Sequence, residues 1–240
     1  MEEKVKGIVI DSADFKESDR LIALFTLEKG IISAILKGVK KPNSKLKFAK
    51  EIFGFGEFIL TQKAGVKNGF YIVIGCDLID SFFGLSQNFD KYFEGCKLLE
   101  IIKFVTKTGQ QEVGLFIELL KALKTLTYEE VTRNLILCKF LLKIFDATGY
   151  KLNLNKCASC GSEFFGKRYF CMKTGEICCI GCKTYDFLEI SAQTHTNFRL
   201  ISNVSYEQLP TLKLSKTDEC LDLLVLNFKM RFNNNFSVNL

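Results

Sequence analysis

Leu21-Ile22-Ala23-Leu24-Phe25-Thr26-Leu27-Glu28-Lys29-Gly30-Ile31-Ile32-Ser33-Ala34-Ile35-Leu36 contains two short apolar runs around one polar link, and its reading decides the fold of the N-terminal part. Leu21 to Thr26 and Ile31 to Leu36 are strand-length and rich in β-branched residues, while Glu28-Lys29-Gly30 supplies hairpin turn chemistry. Runs of the same kind lie on either side, at Val5 to Ile10, Phe53 to Thr61, and Tyr71 to Ile74 continuing toward Asp80. Polar Ser12 to Asp19 and the glycine-bearing stretch Lys63 to Gly69 separate them as turns. Five short strands in about eighty residues predict a small antiparallel barrel of the OB-fold type.

Beyond Asp80 the apolar period becomes helical. Tyr92, Leu98, Leu99, Ile102 and Val105 form one stripe, and Leu115, Leu119, Leu123 and Leu126 belong to a second. Thr127-Tyr128-Glu129-Glu130 has capping-box spacing ahead of a third apolar run, Val131 to Ala147, which ends before Gly149. Ser215-Lys216-Thr217-Asp218 offers a similar signal before a last helix carrying Leu221, Leu224, Val225 and Phe228. Asn233-Asn234-Asn235 reads as a fraying end. The predicted class is α+β: an OB-fold barrel over 1–80, a helical domain over 81–150, a cysteine-bearing insertion over 151–186, and a C-terminal part over 187–240 packing on the helices.

That insertion holds most of the ten cysteines. Cys157-Ala158-Ser159-Cys160-Gly161 and Cys179-Ile180-Gly181-Cys182 are two C-x2-C knuckles separated by eighteen residues, the spacing of a four-thiolate zinc site. Two-residue spacing turns both sulfurs of a knuckle toward one ion, and four thiolates close the tetrahedron without leaving room for an activated water. The expected Zn2+ is therefore structural. Cys171, between the knuckles, and Cys178, beside Cys179, are alternative ligands. Cys76, Cys96, Cys138 and Cys220 lie in apolar surroundings and read as small hydrophobes.

Other signals carry less. Gly161-Ser162-Glu163-Phe164-Phe165-Gly166-Lys167 copies the spacing of a phosphate-binding loop, but Arg168 replaces the hydroxyl residue and the segment lies between zinc knuckles. His195 is the only histidine, so a two-histidine metal site is excluded; it reads as a surface or hydrogen-bonded residue. Asp11, Asp14, Glu17 and Asp19, interspersed with Lys16 and Arg20, read as a solvated loop.

The 240 residues, 48% hydrophobic with two prolines, can bury a sizeable core and exclude a disordered or fibrous chain. Without a signal-type apolar run after Met1 or any stretch of roughly 18 apolar residues, a soluble cytoplasmic protein is expected. A net charge of +6 is mild, so its distribution matters. Lys37 to Lys50 holds six lysines and no acid, with Pro42-Asn43-Ser44 making it a loop after the third strand. Lys37, Lys40, Lys41, Lys45 and Lys47 suit a flexible arm that follows DNA phosphates with little sequence preference. Phe48, Phe53 and Phe55 nearby could stack bases but, as strand residues, read as core.

A barrel with a basic arm, then helices, then paired knuckles and a final helix resembles the RecO family of bacterial recombination mediators. The likeness is carried by Lys6-Gly7-Ile8-Val9 through Glu17-Ser18-Asp19-Arg20-Leu21, by Leu24-Phe25-Thr26 through Gly30 to Lys37-Gly38, and by Tyr150 through Cys157-Ala158-Ser159-Cys160-Gly161. It implies a non-enzymatic, nucleoid-associated protein that binds single- and double-stranded DNA and anneals complementary strands. It also implies assistance in loading RecA on strands coated by single-strand-binding protein, with RecR and that protein's acidic C-terminal tail as partners. A zinc-stabilised protein-interaction scaffold without DNA handling is the competing class. A magnesium-dependent hydrolase lacks the open metal site it needs.

Overall fold

The computed structural model describes residues 2–62 and 69–232. Most of the expected turn at Lys63 to Gly69 and all of Asn233-Asn234-Asn235 lie outside the described residues. The chain forms two compact units, residues 1–127 and 128–240.

The first unit is built on β1 (Glu2–Phe15), β2 (Asp19–Thr26), β3 (Gly30–Leu36), β4 (Phe55–Thr61) and β5 (Tyr71–Asp80). They close into a barrel in the order β1-β2-β3-β5-β4, with β3 and β5 parallel and the other pairs antiparallel. This is the OB-fold connectivity expected from the strand runs. β1 is long enough to pair with β4 over Glu2 to Ile8 and with β2 over Gly7 to Phe15. Its register shifts between Val9 and Asp11, and the bulge lets Ile8, Val9 and Ile10 all be buried where a regular strand would expose one of them. The polar stretch from Ser12 is therefore mostly strand, with only Lys16 to Ser18 forming the turn.

The β2–β3 hairpin closes as its sequence implies. Thr26 Oγ1 accepts from Lys29 N at 3.0 Å and donates to the Gly30 carbonyl at 2.9 Å. Gly30 adopts φ +66°, and a Cβ there would lie 1.8 Å from the Gln110 carbonyl oxygen, so only glycine fits. The short helix α1 (Phe83–Ser86) and the long helices α2 (Phe89–Val105) and α3 (Val113–Tyr128) complete this unit. Phe116 of α3 places its ring 5.5 Å from Phe25 and 6.2 Å from Phe55, and Tyr92 of α2 meets Phe53 at 5.4 Å. Fully burying a side chain of this size stabilises by about 1.5–3 kcal/mol.

In the second unit α4 (Arg133–Ala147) is central and buried on nearly all sides, from Leu135 to Phe145. Packed around it are α5 (Ala192–Asn203), a 3-10 helix (Tyr206–Thr211) and α6 (Thr217–Arg231), with Phe145 and Phe228 rings 6.2 Å apart. A small sheet, β6 (Arg168–Cys171), β7 (Ile177–Cys179) and β8 (Phe187–Ile190), runs in the order β7-β6-β8.

Two expected helix starts are corrected. Thr127 belongs to the end of α3, where its hydroxyl donates to the Leu123 carbonyl at 2.7 Å, and α4 begins later with Thr132 at its N-cap. Ser215 is not the cap of α6, whose N-cap is Lys216 with a left-handed backbone; the Ser215 carbonyl instead accepts from Asn197 Nδ2. Side-chain caps occur where the sequence reading placed none, at Asn88, Ser191 and, as a capping box with Gln208, Ser205.

Candidate functional site

The knuckles are shaped by backbone bonds before any ion is considered. Cys157 N donates to the Ser162 carbonyl and Gly161 N to the Cys157 carbonyl, both at 2.9 Å, a turn that Gly161 closes at φ +71°. Ala158 N donates to the Ile177 carbonyl at 3.0 Å, tying the first knuckle to β7, and Cys182 N donates to the Cys179 carbonyl at 3.1 Å. The sulfurs of Cys157, Cys160, Cys179 and Cys182 then all lie within 4.8 Å of one another. Cys160 and Cys179 are 3.8 Å apart, and a tetrahedron with zinc–sulfur bonds of about 2.3 Å has edges of about 3.8 Å. The donor set therefore fits a closed-shell divalent ion.

The local field favours the thiolate at Cys157 and Cys160 and disfavours it at Cys182. Burial pushes the Cys157 thiol up, but backbone hydrogen bonds from Cys160, Cys179 and Ser159 outweigh it and bring the value down to about 6. The Ser162 hydroxyl lowers Cys160, whereas hydrogen bonds with Cys160 and Cys179 raise Cys182. A divalent cation would displace the remaining protons.

Neither alternative ligand joins this group. Cys178 is buried beside the first knuckle, its sulfur 3.3 Å from Ser159 Oγ and next to the Cys157 thiol, but it is not one of the four mutually close sulfurs. Cys171 is buried at the end of β6, its backbone bonded to Gly175 and Glu176. Cys138 and Cys220 are fully buried, and Cys76 and Cys96 half-buried.

On the barrel, the lysine segment is folded instead of being the free arm expected. Val39 and Ala49 are buried in the barrel core and Leu46 packs against it. Gly38 N donates to Asp19 Oδ1 at 2.7 Å, Lys40 N to the Ser18 carbonyl, and successive turns run from Lys41 to Gly54. Because these apolar anchors point inward, Lys37, Lys40, Lys41, Lys45 and Lys47 are all held outward and exposed. Their charges are not equally available. Lys40 Nζ lies 3.0 Å from Asp14 Oδ1, an oxygen that also meets Arg20 at 3.2 Å, and the hydrogen bond from Lys40 holds the Asp14 carboxyl below its usual range. Lys47 Nζ sits 5.0 Å from the ring centroid of Phe48. Lys37, Lys41 and Lys45 have no ion pair among the described residues.

Phe53 is core as expected, and Phe55 is half-buried against Phe116, but Phe48 is 58% exposed beside Lys47. The segment leaves the strand register between Leu36 and Phe55, so strand alternation did not apply to it. The phosphate-loop mimic is not built: Lys167 pairs with Glu189 at 3.0 Å and Arg168 begins a strand. His195 is buried, with Nε2 2.8 Å from the Leu154 carbonyl and its ring against Phe164. Among the described residues no helix is long and apolar enough to cross a membrane.

A closed OB-fold barrel with outward lysines, together with a separate helical unit bearing a four-cysteine cluster, defines a modular protein of α+β class. Family models described as Recombination protein O N terminal and Recombination protein O C terminal match residues 1–82 and 86–226, and the chain belongs to that family of DNA repair and recombination proteins. A DNA repair protein RecO of Clostridium novyi is 27% identical over 212 residues, covering 88% of this chain and 81% of that protein. Another from Alkaliphilus metalliredigens is 28% identical over 216 residues, covering 88% and 85%. A third, from Desulfitobacterium hafniense, is 30% identical over 185 residues, covering 74% and 63%.

Proposed function

We propose that this protein is a non-enzymatic recombination mediator that binds single- and double-stranded DNA, anneals complementary strands, and assists RecA loading on strands coated by single-strand-binding protein. RecR and the acidic tail of single-strand-binding protein are the partners of this reading, and the cytoplasm, at the nucleoid during repair, is its place. The observation that carries it is the row of outward lysines fixed on an OB-fold barrel in a chain of the Recombination protein O family. Residues 1–80 are the DNA-binding domain, with Lys37, Lys40, Lys41, Lys45 and Lys47 on phosphates and Phe48 exposed for stacking. Residues 151–186 are a zinc-binding segment, following the helical domain of 81–150 and preceding the packed C-terminal part of 187–240. Cys157, Cys160, Cys179 and Cys182 hold Zn2+ for folding and not for chemistry, since four thiolates leave no open position.

Strand annealing by the purified protein, with and without single-strand-binding protein, tests the reading. Annealing of bare and coated strands is expected. A protein that neither binds nor anneals DNA at low salt, yet captures RecR, is an interaction scaffold instead.

A further inference from the structure

The second unit carries two adjoining clefts of about 390 and 380 Å³ that share Asn155 and Arg199. Lys143, Lys151, Lys156, Arg168 and Arg199 line them, against Asp146 and Glu163. Asp146 is engaged by Lys151 at 3.4 Å. Lys143, Lys156, Arg168 and Arg199 have no carboxylate partner among the described residues. Arg168 is held at the wall by a bond from Nη1 to the Gly166 carbonyl and by the Phe164 ring, while its Nε is buried without a hydrogen-bond partner. An unmatched buried guanidinium N–H is costly unless an acceptor meets it. Nearby, burial and then the charges of Arg168 and Arg199 lower the His195 pKa, opposed by the Leu154 carbonyl.

We propose that these joined clefts are a second phosphate-binding surface, on which the protein holds a DNA strand in addition to the one on the barrel. The inference rests on the DNA-handling reading above and deepens it: pairing two strands requires contact with both. Phosphates fit better than an acidic peptide. The apolar members of the first cleft's wall, Leu142, Leu152 and Leu154, are buried, and the half-buried Phe164 ring of the second is already taken up by the Arg168 guanidinium and the His195 ring, so the clefts offer little of the free apolar anchor that protein partners use. Guanidinium groups and lysines facing Asn155 and Asn203 instead offer donors to successive phosphate oxygens.

The test is the salt dependence of binding to a thymidine oligonucleotide by the full chain. Lys156→Gln with Arg199→Gln, both exposed positions, should lower the slope of log affinity against log salt by about 1.4, at about 0.7 per phosphate. The charge-preserving pair Lys156→Arg with Arg199→Lys should leave it near the parental value. Annealing should fall with the first pair and persist with the second. A folded glutamine pair with an unaltered slope overturns the second surface alone, because the parental chain still binds. A parental chain that binds no oligonucleotide overturns this inference and the DNA reading together. A glutamine pair that keeps its slope but loses an aspartate-rich peptide assigns the clefts to a protein partner, against the proposal.

Discussion

Lys139 Nζ donates to the Val204 carbonyl at 2.6 Å from the middle of a helix buried on nearly every side. The same ammonium reaches the Ile201 carbonyl at 3.0 Å and the Ser202 carbonyl at 2.9 Å, so it caps the C-terminal end of α5, where carbonyls lack intrahelical partners. A charge 2% exposed is tolerated because three oxygens and a helix dipole replace its water. Lys139→Met keeps the aliphatic stem but orphans those carbonyls. Urea unfolding should show a loss of about 3 kcal/mol, since each unsatisfied buried group costs about 1–3 kcal/mol and a well-packed methionine recovers part. An unchanged midpoint would mean that water reaches α5's end without help.

Asp14 restrains the lysine segment electrically, through Lys40 and Arg20. Asp14→Asn should free both cations, strengthen oligonucleotide binding at low salt and steepen its salt slope by up to about 0.7 for each phosphate newly met. Lys40→Gln in the parental background should flatten the slope less than Lys41→Gln, because Lys41 has no such pair. Titrations across a salt series decide it, and equal effects from the two lysines would show that Asp14 does not compete with phosphate.

The sequence made some of these features readable and hid others for physical reasons. Short β-branched apolar runs and a Gly-containing link are local signals, so β2, β3 and their hairpin were legible, and two C-x2-C knuckles pointed to the four clustered sulfurs through local spacing alone. The caps were misread because hydroxyls at Thr127 and Ser215 have the right spacing but the wrong tertiary surroundings. Likewise the lysine segment looked free because its anchors, Val39, Leu46 and Ala49, are isolated apolar residues with no regular period. The clefts at Arg168 and Arg199 bring together residues from a strand and a helix that no local pattern links.

Metal content tests the sulfur geometry. One zinc per chain is expected, lost in Cys160→Ser together with a lower melting temperature, while Cys171→Ser and Cys178→Ser keep the ion. The oligonucleotide salt slope contributed by the lysine segment should survive in Cys160→Ser below its melting point, since those lysines are anchored by the barrel core. Loss of zinc from Cys178→Ser would replace one of the four assigned ligands.

His195 should make the second unit sensitive to acid. Its buried ring presents Nε2 to the Leu154 carbonyl, which requires the proton on that nitrogen, while burial, Arg168 and Arg199 disfavour a second proton. The folded pKa is thus below the ordinary 6.5, which the unfolded chain regains. Between the two values the unfolded state binds more protons, so stability rises with pH there. This contribution is complete above about 6.5 and is lost as pH falls through the lower, folded value. His195→Gln retains an N–H donor for Leu154 but cannot titrate. Urea midpoints measured from about pH 5 to pH 8 should fall less toward acid in this variant than in the parent. Parallel curves would place the acid sensitivity on other groups, and a steeper curve in His195→Gln would reverse the sign assigned to the histidine.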